Sequence, residues 1–173
     1  MRQNDSTADL FGETDERAVF RDIEAIAAAK LSQESNSSLS TGDLVNEAVA
    51  RLTRLEHIEI NSREHILALA SRMMRQILID QARRRNAGKR YHTRVTLVPN
   101  LPQKDADPLD LLSFGLVFDE LREIDPQLAN IVEMRYFGGM SLAEIASVLN
   151  VSIATAKRRW ASARIWLREQ LDQ

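Results

Sequence analysis

Two groups of cations define the chemistry open to this chain. Lys157, Arg158 and Arg159 stand together near the C-terminus, with Arg164 beyond them, and Arg83, Arg84 and Arg85 stand together near the middle. From Arg83 to Arg94 there are six cations (Arg83, Arg84, Arg85, Lys89, Arg90 and Arg94) and no anion. Clustered guanidinium and ammonium groups neutralise phosphates along a nucleic-acid backbone. On a helix, the same groups reach base edges in the major groove. Other chemistries lack their residues. There is no Cys, and His57, His65 and His92 are scattered, so a thiolate site is excluded and a metal site is not expected. No carboxylate cluster and no nucleophile with a partner base stands out. We expect no cofactor, no metal and no enzymatic activity.

The net charge of −2 on 173 residues would argue against nucleic acid if it were spread evenly. It is not. Residues 1–47 carry ten acids against four bases, and acidic and basic stretches alternate along the chain, so a neutral sum hides local patches able to hold phosphates. No apolar run approaches the length of a membrane span. The start, MetArgGlnAsnAspSerThrAlaAspLeu, has no basic segment followed by an apolar core, so it does not read as a signal peptide. A cytoplasmic protein without a membrane partner is expected.

The C-terminal cations need a helix to present them, and the sequence provides two with a turn between. Ser141 is an N-cap with Glu144 three residues on, the capping-box spacing. Leu142, Ile145, Ala146 and Leu149 follow at helical intervals. Asn150 and Val151 form the turn, and Asn tolerates the left-handed conformation that a helix end requires. Ser152 caps a second helix, with Ala156, Trp160, Ala163 and Leu167 on its inner face. Ile153, Ala154 and Thr155 leave its first turn uncrowded. This is a helix-turn-helix, whose second helix enters the major groove by its N-terminal turns.

The remaining chain also reads as helical. Thr14 caps a helix to about Leu31, with Val19, Ile23, Ile26 and Ala27 inward. Residues 33–42 are a loop by composition. Ser40 and Asp43 open a helix carrying Leu44, Val45, Ala48, Leu52 and Leu55 inward. After a loop at His57–Asn61, Ser62 caps a long helix with Ile66, Leu69, Ala70, Met73, Ile77 and Asp80 in series, ending in the three arginines and fraying near Gly88. Val95–Val98 reads as a short extended piece, and Pro99 and Pro102 forbid a helix interior. Asp107-Pro108 starts a helix to about Ile124, and Asp125-Pro126 starts the next, ending at Gly138-Gly139. The fold class is all-α: two small helical domains, 14–90 and 107–173, joined by a flexible linker at 91–106, with a C-terminal helix-turn-helix.

In this order the segments resemble an extracytoplasmic-function sigma factor of the sigma-70 family. The resemblance spans roughly 14–171. DLVNEAVARL (43–52) is similar to the family's clamp-binding helix, MMRQILIDQARRR (73–85) to its promoter-melting helix, and MRYFGGMSLAEIA with the helix-turn-helix to its minus-thirty-five domain. The resemblance implies a protein that binds core RNA polymerase at the clamp and directs transcription initiation at promoter DNA. It implies polymerase contacts at Asp43, Asn46 and Glu47. The loop from about Glu56 to Arg63 would take a flipped base, and Gln76 stands where many relatives have Asn. Arg83, Arg84 and Arg85 would lie on the DNA backbone. Lys157, Arg158 and Ala161 would face bases, with Arg159 and Arg164 on phosphates.

The chain departs from the family at the start of the clamp-binding helix. Many relatives place an acidic run there, and this chain has Ser40-Thr41-Gly42-Asp43. In a subset of relatives a hydroxyl residue at this place implies control by a Ser/Thr kinase rather than by a membrane anti-sigma factor. A phosphate on Thr41, or on Ser40, would add nearly two charges at a helix N-terminus. On the residues alone, either hydroxyl also serves as a plain helix cap. The alternative reading of the whole chain is a helix-turn-helix regulator that binds DNA without joining polymerase.

Overall fold

The computed structural model describes residues 16–31, 40–52, 54, 62–86, 94–95 and 109–172. Among them are seven α-helices: α1 (Glu16–Leu31), α2 (Thr41–Leu52), α3 (Arg63–Asn86), α4 (Leu111–Ile124), α5 (Pro126–Tyr136), α6 (Leu142–Val148) and α7 (Ile153–Leu171). Arg94–Val95 (β1) and Leu109–Asp110 (β2) form an antiparallel pair, Arg94 opposite Asp110 and Val95 opposite Leu109. The architecture is all-α, as expected. Thr14, Leu55, the loops at 33–39 and 56–61, Gly88, Asp107, Pro108 and all of 91–106 but two residues lie outside the described residues, as do the side chains of Val19 and Arg85.

The helices form where apolar spacing and caps coincide. On α1, Ile23 and Ala27 are fully buried and Ile26 packs at their edge. On α2, Leu44, Val45, Ala48 and Leu52 are buried in the expected pattern. Ser40, not Thr41, caps it. The Asp43 amide donates to Ser40 Oγ (3.1 Å) while the Ser40 amide (3.0 Å) and hydroxyl (2.7 Å) donate to Asp43 Oδ2. This reciprocal pairing satisfies donors that the helix start leaves open. Thr41 is the first helical residue. Ser40→Ala is therefore expected to lower stability by about 1 kcal/mol. Thr41→Ala should cost less, and urea unfolding of the two variants ranks them.

The C-terminal half is built the same way. Asp125 accepts from the Leu128 amide (2.9 Å) with Pro126 in the first turn of α5. Ser141 and Glu144 complete the capping box of α6, at 3.2 Å from the Glu144 amide and 2.7 Å from the Ser141 amide. Asn150 sits at φ 51° between α6 and α7, and Ser152 accepts from the Thr155 amide at 3.1 Å. One helix start differs from the sequence reading. α4 begins at Leu111, not at Pro108, because Leu109 and Asp110 are taken up in the β pair.

The larger difference concerns α3. The series Ile66, Leu69, Ala70, Met73 and Ile77 marks one face, with Asp80 only half-buried. Leu67, Ser71, Met74, Arg75, Leu78 and Ile79 are also buried, on an adjoining face, while His65, Ala68, Arg72, Gln76, Asp80 and Arg83 form a stripe that is exposed or half-buried. α3 lies between α1 and α2 on one side and α4, α5 and α6 on the other. A helix that buries two adjoining faces packs between two groups of helices and keeps its third side toward water. The contact with the C-terminal helices is close. A Cβ on Gly138 would sit 2.0 Å from Ser71 Oγ, and one on Gly115 would sit 3.4 Å from Ile79. Gly139, at φ 60°, supplies the left-handed turn after α5.

Aromatic rings link the C-terminal helices. Phe114 stacks on Phe118 (5.8 Å between centroids) and meets Phe137 (5.5 Å) and Tyr136 (5.9 Å) edge-on, and Tyr136 meets Trp160 edge-on at 5.3 Å. The chain of contacts fixes α4, α5 and α7 as one unit and so sets which face of α7 looks outward.

Candidate nucleic-acid interface

That outward face is the stripe of Ala154, Lys157, Arg158, Ala161 and Ile165, all exposed. Their spacing of three and four residues puts them in one row. Ala156, Trp160, Ala163 and Leu167 are buried on the opposite side. No acid falls in the row, and the small side chains of Ala154 and Ala161 let a groove wall approach. Lys157, Arg158 and Ala161 thus share one surface. Arg159 and Arg164 are half-buried and lie outside this row. Ile153 is half-exposed at the start of α7.

The second cationic group is at the end of α3. Arg83 and Arg84 are exposed there. Arg83 Nη2 lies 3.8 Å from Asp119 Oδ2 on α4, both side chains more than half exposed. Gln76 is half-buried in the middle of α3. The two cationic groups lie on different helices.

On α2, Asp43, Asn46 and Glu47 share an exposed face. Asp43 is engaged by the cap: the Ser40 hydroxyl, and then the Ser40 amide, hold its carboxyl below the usual carboxylate range. Glu47 accepts from Arg51 Nε at 2.8 Å, which likewise holds its carboxyl low. The face is therefore anionic at neutral pH.

Two polar constellations were not apparent from the sequence. Glu133 is buried on α5 between Arg75 Nε (2.5 Å) and Arg122 Nη2 (3.2 Å), and both guanidinium groups lie over the Phe118 ring, at 4.4 and 5.3 Å. Arg63, the last residue of the loop read as a base pocket, is instead the first of α3. Its guanidinium bonds Asp22 of α1 (2.7 Å) and Glu144 of α6 (3.3 Å). Burial pushes the Glu144 carboxyl up, but hydrogen bonds from Ser141 and Arg63 outweigh it and leave the group below its usual range. The signal for the first constellation was present as Arg75 among Met73, Met74 and Ile77, and Glu133 among Ile131, Val132 and Met134: a charge within an apolar run needs a buried partner.

Among the described residues no cluster of His, Cys, Asp or Glu could hold a metal ion, and no helix is long and apolar enough to cross a membrane. No curated protein matches the chain. A solved structure of the sigma factor RpoE in complex with the anti-sigma factor NepR, from Bartonella quintana, is similar at 18% identity and a TM-score of 0.42, over 90% of this chain and 93% of that one. The family model described as "ECF sigma factor" matches residues 4–173. This span takes in all seven helices and both cationic groups, and the chain belongs to the ECF sigma factor family.

Proposed function

We propose that the chain is an alternative sigma factor that binds core RNA polymerase and directs initiation at specific promoters. Residues 14–90 form the unit that binds polymerase and melts DNA, 91–106 the linker, and 107–173 the unit that reads the upstream element. The observation that carries this reading is the acid-free row on α7, with Lys157, Arg158 and Ala161 opposite a buried face. In this reading Arg159 and Arg164 hold phosphates, Arg83 to Arg85 hold the backbone beside the melted region, and Gln76 faces that region. Asp43, Asn46 and Glu47 meet the polymerase clamp.

Reconstituted transcription with core polymerase on a promoter library tests the whole. Lys157→Ala and Arg158→Ala are each expected to weaken upstream-element binding by about 1–3 kcal/mol. Unchanged promoter affinity in both variants refutes the assignment of α7. Sequence-specific DNA binding without copurification of polymerase would instead support the reading as a regulator that works alone.

We further propose that phosphorylation of Thr41 strengthens the polymerase contact. Ser40 is the poorer site, since its Oγ is 2.7 Å from Asp43 Oδ2, and a phosphate there would both break the cap and face a like charge. Thr41, at the first position of α2, leaves the cap intact and adds charge where the helix dipole favours it. Charge-assisted hydrogen bonds from a basic partner are worth about 1.5–3 kcal/mol, so affinity for core polymerase is expected to rise at least tenfold. Titration of polymerase with unmodified and fully phosphorylated protein measures it, and equal affinity refutes the switch.

A further inference from the structure

A cleft of about 240 Å³ opens where α3 passes α5 and the end of α6. Ala68 and Leu69 of α3 line one wall, and Met134 of α5 with Val148 and Leu149 lines the other. Met134 is buried and the other four are half-buried, so the walls are apolar and part of their surface stays uncovered. His65, Arg72, Asn130 and Glu133 supply the polar atoms. An apolar concavity with a few convergent polar groups is the form of a small-molecule site. The charge at this site has one sign. Glu133 is the one acid among the lining residues, and its two oxygens accept from Arg75 and Arg122. Two guanidinium groups against one carboxylate leave an excess of positive charge. Arg72 adds another cation, exposed and paired with no carboxylate among the described residues. Asn130 is half-buried on α5 and its carboxamide has no partner among the described residues. His65 Nδ1 is 3.4 Å from Ser62 Oγ, which leaves Nε2 for an occupant.

We propose that this cleft binds a small carboxylic acid with an apolar body, its carboxylate on the Arg72 guanidinium and the Asn130 carboxamide, its body against Leu69, Met134 and Leu149. An apolar cavity of about 150 Å³ accepts benzene, so this one has room for a ring, a short chain and a carboxylate. A guanidinium takes a carboxylate through two parallel hydrogen bonds. A neutral molecule of the same shape lacks that ion pair, and a bare carboxylate lacks the apolar burial. Only the two together are held. The proposal stands apart from the sigma-factor reading, since it concerns the free chain and involves neither DNA nor polymerase. The walls come from helices far apart in sequence, so the site exists only in the folded chain and its occupant stabilises the fold by mass action.

Phenylpropanoate is the probe, with phenylpropanol and acetate as its neutral and truncated counterparts. At about ten times its Kd, phenylpropanoate is expected to raise the Tm of the full chain by about 3–6 °C. Calorimetric titration is expected to show one saturable site, with phenylpropanol and acetate each bound at least tenfold more weakly. Arg72→Gln keeps a polar side chain and removes the charge. It is expected to weaken phenylpropanoate at least tenfold and to leave phenylpropanol unchanged, a split that general destabilisation does not produce. Ala68→Phe fills the cleft from α3 and is expected to abolish binding of phenylpropanoate. Should that variant not fold, methyl NMR spectra of the wild-type protein decide, with shifts expected at Leu69, Val148 and Leu149 and none at Leu44 of α2. No saturable binding of phenylpropanoate, equal affinity for phenylpropanol, wild-type affinity in Arg72→Gln or in a folded Ala68→Phe, or shifts confined to methyl groups away from the cleft overturns the proposal.

Discussion

Trp160→Ala is expected to destabilise the C-terminal helices by about 3–5 kcal/mol, the range for truncating a large buried aromatic. Trp160 is 6% exposed on the inner side of α7. Its ring meets Tyr136 edge-on at 5.3 Å, and Arg135 stands 6.0 Å from its centroid. Through Tyr136 it is coupled to Phe114 and Phe137. Removing it opens a cavity between α5 and α7 that neighbouring rings, locked to one another, cannot fill. It also frees α7 to rotate, and rotation by one position turns the face that carries Lys157 and Arg158 away from its outward direction. Upstream-element binding should therefore fall together with stability. The variant keeps Trp166, one of the two tryptophans, so fluorescence still follows its unfolding in urea. Trp166 is only half-buried, and Trp166→Ala should cost distinctly less. A loss below about 1 kcal/mol for Trp160→Ala, well under the core range, would mean that the aromatic chain does not hold α7.

Glu133→Ala is expected to cost about 3–5 kcal/mol, the range for breaking a buried ion pair by removing one partner. Arg75, 9% exposed in its side chain, then has no carboxylate beside it, while Arg122 at 32% can turn to water. The damage comes from an unpaired buried charge, not from a lost attraction. The double variant Arg75→Met with Glu133→Leu removes both charges at similar volume and is expected to recover most of the loss. Denaturant midpoints of the two single variants and the double variant give the coupling energy. If Glu133→Ala unfolds at the wild-type midpoint, or if the double variant is the sum of the singles, the pair does not act as a unit.

Both predictions involve residues whose importance was unequally legible. Trp160 could be placed from sequence because its position is set by local rules. Ser152 caps the helix, and Ala156, Trp160, Ala163 and Leu167 fall at helical spacing, so the buried side follows from the period alone. The same holds for the capping box of Ser141 and Glu144, the left-handed Asn150, the Asp125-Pro126 start of α5 and the inner residues of α2. Each depends on partners within about four residues. The exposed row of Lys157, Arg158 and Ala161 follows too, as the complement of a buried face. The family was legible for the same reason, since its distinguishing segments are short and local.

What escaped was set by residues far apart in the chain. Arg75 and Glu133 are 58 positions apart, and Arg63 and Glu144 are 81. No local period predicts which of two apolar faces of α3 meets α1 and α2 and which meets α4 to α6. The series Ile66, Leu69, Ala70, Met73 and Ile77 describes one face, and Leu67, Met74 and Leu78 describe the other equally well, so a single-face reading had to omit one. The start of α4 hung on a strand partner fourteen or more residues upstream. Sequence by itself determined the helices, their caps and the cationic face of α7, because hydrogen bonds and side-chain period act over single turns. Tertiary structure alone decided that α3 packs on both groups of helices and that Arg63 and Arg83 meet carboxylates of α6 and α4, because burial and ion pairing depend on distance in space.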